Sequence, residues 1–382
     1  MSVIHPAGSA GSRVRRRLAR AGFTLIEMLV VITIIGMLMA LVSVAVWKAL
    51  ERAKQTKIIV EIGQLQTAVQ SYKEKYQQYP PSLSQTDVND RKVRFMRHVQ
   101  IAFPNANYQT DVNTFNTIRT QLMSGTGVTA QPYNYKNQAG DIRQLDLNTL
   151  DQAEAIVFWL GGFPTPYNSS SSAAVANRRI YGFHRDADAP FRRDVAAAEG
   201  LDPLRYRTDP LYQFDEVRFA DNDDDGWMEY LPMPQSGTAV VAPFVYFDAE
   251  SYSTSSSAQG SALDIKILGY PRWGDPNADN NASMWGLAVP YAQFLDPNNA
   301  SPMLWVNPEG FQIVSGGLDG MYSAPVSGDL AQAMRVPIYP GGQVYNRATV
   351  YSEQESYSIE EQDNLTNLSS NTLEGARQEY GK

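Results

Sequence analysis

The chain of 382 residues contains no cysteine and only three histidines. Without cysteine it forms neither a disulfide nor a thiolate metal site, and this absence is compatible with an exported protein. His98 and His184 lie far apart in the sequence and lack the spacing of zinc ligands. A nucleophile elbow, a phosphate-binding glycine loop and a dinucleotide fingerprint are all missing. These absences predict that the protein is not an enzyme, although the sequence does not exclude a pair of carboxylates of the kind that hydrolyses glycosides.

Basic residues are fewer than acidic ones, 32 against 40, which gives a net charge of −8. The first 22 residues contain five arginines and no acid, so a cut after residue 22 would leave a chain with a net charge of −8 − 5 = −13. A chain this acidic does not have the charge of a nucleic-acid-binding protein. Hydrophobic residues make up 43% of the chain, including 14 phenylalanines and 21 tyrosines, which is enough for one or two domain cores.

One long apolar run extends from residue 23 to residue 47, with Glu27 as its single charge and no proline. As an α-helix this run would measure roughly 37 Å, which is enough to cross the hydrocarbon core of a bilayer. The five arginines lie just before it and predict a cytoplasmic N-terminus by the positive-inside rule. A cleaved secretory signal carries its small residue after the apolar core, whereas Gly22 precedes this one.

The stretch RAGFTLIEMLVV at residues 20–31 closely resembles the prepilin motif of type IV pilins and type II secretion pseudopilins. In that family a membrane peptidase cuts after the glycine and methylates the new N-terminal residue. The resemblance therefore implies a cut between Gly22 and Phe23, with Glu27 as the fifth mature residue. In the family this glutamate is proposed to meet the N-terminal amine of a neighbouring subunit, and a buried carboxylate is tolerable when such a cation pairs with it. A plain membrane anchor is the alternative.

Apolar residues continue beyond the run at the three- and four-residue spacing of one helix face, at Ile58, Ile62, Leu65, Val69, Tyr72 and Tyr76. This stripe predicts a helix that continues to about Tyr76 and stops before Pro80 and Pro81. We expect the stripe to pack against the chain's own sheet, with a two-stranded coiled coil as the alternative. A second, buried helix is predicted over residues 150–163, and a strand over residues 311–315.

The predicted fold class is α+β and pilin-like: a long N-terminal helix packed on a C-terminal antiparallel β-sheet with large loop insertions. The predicted organisation is a cleaved basic leader at 1–22, a transmembrane or filament-core helix at 23–47, an amphipathic helix at 48–79 and a globular domain at 80–382. The middle of that domain, about 85–270, is interpreted as an insertion because it is far longer than in a typical major pseudopilin.

The sequence DNDDDG at residues 221–226 has oxygen-bearing side chains at positions 1, 3 and 5 and glycine at position 6, as at the start of an EF-hand calcium loop. The candidate ligands are Asp221, Asp223, Asp225 and, directly or through water, Glu229. Pro232 occupies position 12, where an EF-hand has a bidentate glutamate, so a further ligand would have to come from elsewhere. A solvated acidic turn is the alternative.

Residues 310–320, with PRWGDP at 271–276 upstream, resemble the end of the major pseudopilins of type II secretion, the G type. In that family the loop after the strand binds calcium. The resemblance implies a second calcium site with Ser315, Leu318 and Asp319, completed by a later acid, for which Asp329 and Asp363 are the candidates. A simple glycine turn is the alternative. Calcium is thus the expected cofactor of both acidic loops.

The resemblance implies a structural subunit of a type II secretion pseudopilus or type IV pilus-like filament, processed by prepilin peptidase. Expected partners are further copies or other pilins, the peptidase, an inner-membrane assembly platform and membrane lipid, but no nucleic acid. The expected location is the inner membrane, with a cytoplasmic N-terminus, a periplasmic or otherwise extracytoplasmic C-terminal domain, and the filament after assembly. The alternative is a membrane-tethered binding or hydrolytic domain that is exported with a prepilin-type leader.

Overall fold

The computed structural model describes residues 23–84, 88–106, 134–136, 140–164, 180–185, 187, 190–191, 208–233, 241–253, 256–259, 262–265, 269–271, 284–295, 303–326, 335–346 and 356–381. The predicted leader with Gly22, most of the PRWGDP stretch and Asp329 lie outside these residues. The chain forms two units, residues 1–52 and residues 53–382.

The helices, in chain order, are α1 (Leu25–Tyr76), α2 (Val88–Ala102), α3 (Gln152–Gly161), α4 (Ala249–Ser253), α5 (Ile359–Gln362) and α6 (Leu373–Tyr380). Helix α1 begins two residues after the predicted start and ends at the predicted residue. It is long and apolar enough to cross a membrane. In the first unit the large apolar side chains of α1 are exposed in the single chain.

In the second unit, the predicted apolar stripe of α1 is buried. Ile58, Ile62, Leu65, Val69 and Tyr72 are at most 2% exposed. They belong to one apolar cluster with side chains of the chain's own sheet. This confirms packing of the stripe within the chain over the coiled-coil alternative.

Every residue of α3 is buried, which confirms the buried helix predicted over 150–163. Its start is fixed by a capping box, in which the Asp151 side chain accepts the backbone N–H groups of Ala153 and Glu154 at 2.9 and 3.2 Å. In return, the Glu154 carboxylate accepts the backbone N–H of Asp151 at 2.8 Å. This reciprocal pairing satisfies helix N–H groups that lack a partner within the helix.

The strands are β1 (Asn134–Lys136), β2 (Ile142–Gln144), β3 (Phe163–Pro164), β4 (Ile180–Tyr181), β5 (Phe219–Ala220), β6 (Glu229–Tyr230), β7 (Val245–Asp248), β8 (Ser256–Gln259), β9 (Ala262–Ile265), β10 (Ala292–Leu295), β11 (Met303–Trp305), β12 (Phe311–Ser315), β13 (Arg335–Pro337), β14 (Val344–Asn346) and β15 (Leu365–Thr366). Strand β12 has the bounds predicted from its alternation. It lies between β7 and β15 in a three-stranded antiparallel sheet. The other strands form antiparallel pairs, so the β part is several small sheets. The α+β fold class is confirmed.

The linker after α1 is held to the sheet by Asp248 at the end of β7. The backbone N–H and the hydroxyl of Ser82 each donate to Asp248 Oδ1 at 2.7 Å. Arg94 on α2 forms an ion pair with the same carboxylate. The linker after α1, helix α2 and strand β7 are therefore joined through the buried Asp248 carboxylate, which is 2% exposed.

Candidate functional site

The start of α1 is a capping box formed by Thr24 and Glu27. The backbone N–H and the hydroxyl of Thr24 donate to Glu27 Oε2 at 2.8 and 2.9 Å. The Glu27 N–H in turn donates to the Thr24 hydroxyl at 3.2 Å. A carboxylate at this position also interacts favourably with the helix dipole. Glu27, which is predicted to act in assembly, thus contacts Thr24 of its own chain. The pattern Thr-x-x-Glu is typical of a capping box, but the sequence analysis did not use it.

The predicted calcium loop at residues 221–226 lies in the connection between β5 and β6, which pair antiparallel. Asp221 Oδ1 accepts the backbone N–H of Asp225 at 3.1 Å, and Asp225 Oδ1 accepts that of Trp227 at 2.9 Å. Gly226 has a φ of +92°, and the Tyr135 ring lies 2.5 Å from the position that a Cβ would take. The glycine is therefore required both by the backbone and by its neighbour.

Three carboxylates meet at the side of this loop. One oxygen each of Glu154, Asp223 and Asp225 lies within 4.8 Å of the other two. Two of the predicted ligands are thus together, and the third member comes from α3, 69 positions before Asp223. The sequence analysis did not identify Glu154 as a candidate ligand, because it lies in a stretch predicted to be a buried helix of the core. An acidic residue among the apolar residues of that helix was the feature that could have indicated it.

The other two predicted ligands of this loop have different contacts. The Glu229 carboxylate is 1% exposed and accepts hydrogen bonds from the Tyr270 hydroxyl and the Asn222 side-chain amide. Asp221 accepts from the turn backbone, as described above. Neither acid is a member of the three-carboxylate cluster, although the charge of Glu229 acts on Glu154.

The electrostatics of this region oppose ionisation. Burial raises the pKa of Glu154 well above its ordinary value, and the nearby charges of Asp225, Asp151 and Asp223 raise it further. Burial, followed by the charge of Asp151, raises the pKa of Glu229 to about 8. Carboxyl groups are held together here in surroundings that favour their neutral form unless a cation is present.

The second predicted calcium loop follows β12. Asp363 Oδ2 accepts the backbone N–H groups of Leu318 and Asp319 at 2.7 and 3.2 Å. Burial raises the pKa of Asp363 to about 6, and burial together with the Asp363 charge raises that of Asp319 to about 7. Ser315 is buried and opposite Leu365 in the sheet register. The structure therefore brings Asp363 to the loop.

The comparisons with known proteins bear on the N-terminal part of the chain. The family model for the prokaryotic N-terminal methylation motif matches residues 17–43. Neither the curated proteins nor the solved structures give a match. The resemblance of residues 271–322 to major pseudopilins stays a prediction. The matched residues overlap the apolar start of α1. The chain therefore carries a type IV pilin-like prepilin leader, which indicates a prepilin peptidase substrate that is anchored in a membrane.

Proposed function

We propose that this chain is a structural subunit of a type II secretion pseudopilus or type IV pilus-like filament, with a mechanical rather than a catalytic role. The observation that carries the proposal is the methylation motif at residues 17–43, placed directly on the exposed apolar part of α1. A leader peptidase would cut between Gly22 and Phe23 and leave this helix at the N-terminus of the mature chain.

The exposed surface of α1 explains why such a subunit assembles. Its apolar residues before residue 48 are 44–83% exposed in the single chain, among them Leu25, Met37, Leu41 and Trp47. Exposure of this surface to water is unfavourable, at about 25 cal/mol per Å² of apolar area. Lipid covers it before assembly, and the same helices of neighbouring copies cover it in a filament core, so neither state exposes it.

Glu27 is the charged group that distinguishes this helix from a plain anchor. In lipid or in a helix bundle its carboxylate requires a cation nearby. The amine created at Phe23 of a neighbouring copy supplies that cation in the proposed filament. The Thr24 hydrogen bonds orient the carboxylate within its own chain but bring no positive charge to it.

Two substitutions separate these contributions. Glu27→Gln removes the charge but keeps a side-chain oxygen for the capping box, whereas Thr24→Ala keeps the charge and removes the hydroxyl. Because the chain has no cysteine, two cysteines placed on opposite faces of α1 within residues 30–46 give each copy two unique sites for a bifunctional thiol reagent, so linked copies can extend beyond a dimer. This double-cysteine chain is the parent for both substitutions. Each variant is expressed together with prepilin peptidase and an assembly platform, and cross-linked multimers are counted.

The double-cysteine parent and its Thr24→Ala variant are expected to give a ladder of multimers, whereas its Glu27→Gln variant is expected to give few species beyond the monomer. A ladder of equal strength from Glu27→Gln would refute the pairing of Glu27 with a neighbour's amine. Failure of the double-cysteine parent to form any multimer, for every pair of positions tried, would refute the filament role itself.

A further inference from the structure

The three-carboxylate cluster has the dimensions of a calcium site. Calcium binds oxygen ligands at about 2.3–2.6 Å, so two oxygens on one ion are at most about 5 Å apart. One oxygen each of Glu154, Asp223 and Asp225 satisfies this limit, with all separations within 4.8 Å. Magnesium holds its ligands at about 2.0–2.1 Å in a stricter octahedron, and zinc prefers nitrogen and sulfur ligands. A cluster made only of carboxylates therefore fits calcium best.

Glu154 supplies an independent observation that points to a ligand. Its residue is 1% exposed, and its Oε2 accepts the backbone N–H of Asp151 at 2.8 Å. Its other oxygen, Oε1, is buried and has no hydrogen-bond partner in the part of the chain that the structure describes. A buried carboxylate oxygen without a partner is unfavourable, and an ion beside it removes the penalty. The capping box also fixes the orientation of the side chain, so this oxygen is preorganised.

We propose that Glu154, Asp223 and Asp225 bind a calcium ion that links the β5–β6 loop to the start of α3. Glu154 supplies the ligand from elsewhere in the chain that the loop needs because Pro232 occupies position 12. Asp221 shapes the turn, and water and backbone carbonyls complete the coordination. The proposal is independent of filament assembly, because it concerns only residues of the second unit.

The ion would hold the loop against the centre of the core. Trp227, two residues after Asp225, packs its ring on Phe158 of α3 at a centroid distance of 5.3 Å. Its indole N–H donates to the backbone carbonyl of Asp146 at 2.8 Å. The loop and α3 are therefore already in contact, and a cation between their carboxylates replaces repulsion by attraction. It acts as the cross-link that a chain without cysteine cannot make by a disulfide.

The test uses the purified full-length chain in a non-ionic detergent, carrying Asp319→Asn so that the second acidic loop does not contribute. Glu154→Gln keeps the capping box, since glutamine also serves at that position, but removes one proposed ligand charge. The matched control is Asp224→Asn, which removes one charge from the same loop at a carboxylate outside the cluster. Calcium binding is measured by titration calorimetry, and the melting temperature is measured with calcium and with excess EGTA.

We expect calcium to raise the melting temperature of the parent chain and of Asp224→Asn by several degrees, since an ion bound only by the native state stabilises it. Glu154→Gln is expected to lose at least tenfold in calcium affinity and to melt in EGTA at or above the parent temperature, because glutamine replaces a buried ionisable group among acids by a neutral one of the same shape. This last result also shows that the variant is folded. Equal calcium affinity in Glu154→Gln and the parent chain, or a parent chain that binds no calcium, would overturn the proposal.

Discussion

Truncation of Leu65 tests how α1 is held in the second unit. Leu65 is fully buried among residues of the chain's own core, and Val60 on the same helix is 54% exposed. Leu65→Ala removes three carbons, worth about 2.4 kcal/mol of transfer free energy at about 0.8 kcal/mol per carbon. The cavity left behind brings the expected loss in unfolding free energy to about 3 kcal/mol. Leucine and alanine have similar helix propensities, so packing dominates this value.

The assay is urea unfolding of the full chain in non-ionic detergent, followed by tryptophan fluorescence, because Trp159, Trp227 and Trp285 are all buried. For a slope of about 3 kcal/mol per M, the Leu65→Ala midpoint is expected to fall by about 1 M. The control Val60→Ala is expected to change the unfolding free energy by less than about 0.5 kcal/mol. Equal shifts of the urea midpoint in the two variants would refute packing within the chain. A Leu65→Ala shift that depends on protein concentration would refute it too, because it would indicate a contact between copies.

Three further predictions follow from particular contacts. Arg218 forms a buried, bidentate ion pair with Glu61 at 2.6 and 2.7 Å. Arg218→Met leaves Glu61 buried without its partner and is expected to lower the free energy of unfolding in urea by about 3–5 kcal/mol, whereas the double variant Glu61→Leu/Arg218→Met is expected to lower it clearly less. A double variant as unstable as the single one would contradict this. Burial lowers the pKa of His98 to about 3, whereas the unfolded chain takes up this proton near pH 6.5, so stability is lost as pH falls from about 6.5 towards 3, by up to about 1.4 kcal/mol per pH unit. His98→Gln, which leaves Tyr72 a hydrogen-bond partner, should flatten the melting temperature between pH 6.5 and 4, and an unchanged slope would disprove that origin. At the second acidic loop we propose calcium from the family resemblance, so Asp363→Asn should reduce by one the number of calcium ions bound per chain in calorimetry, and an unchanged number would remove that site.

The sequence predicts those helices and strands whose formation depends on a pattern of residues close together in the chain. The stripe from Ile58 to Tyr76 fixes one face of α1 because its spacing repeats at the helical period. The apolar run that becomes α3 and the alternation that becomes β12 are equally local. Their burial follows because each carries apolar side chains that the fold must cover.

Contacts between distant positions could not be predicted in this way. Arg218 and Glu61 are 157 positions apart, and Leu318 and Asp363 are 45 apart. The sequence offered Asp363 as a candidate for the second loop only through a family resemblance. Nothing local places Glu154 beside Asp223, because that meeting depends on how α3 and the β5–β6 hairpin pack. The division of the β part into several small sheets is likewise set by tertiary packing.

The most direct test of the account is the mass of the native protein purified from membranes. We expect a chain that begins at Phe23, with a methyl group on its terminal amine and no residue of the basic leader. A chain that retains Met1 and an unmodified phenylalanine at position 23 would contradict it.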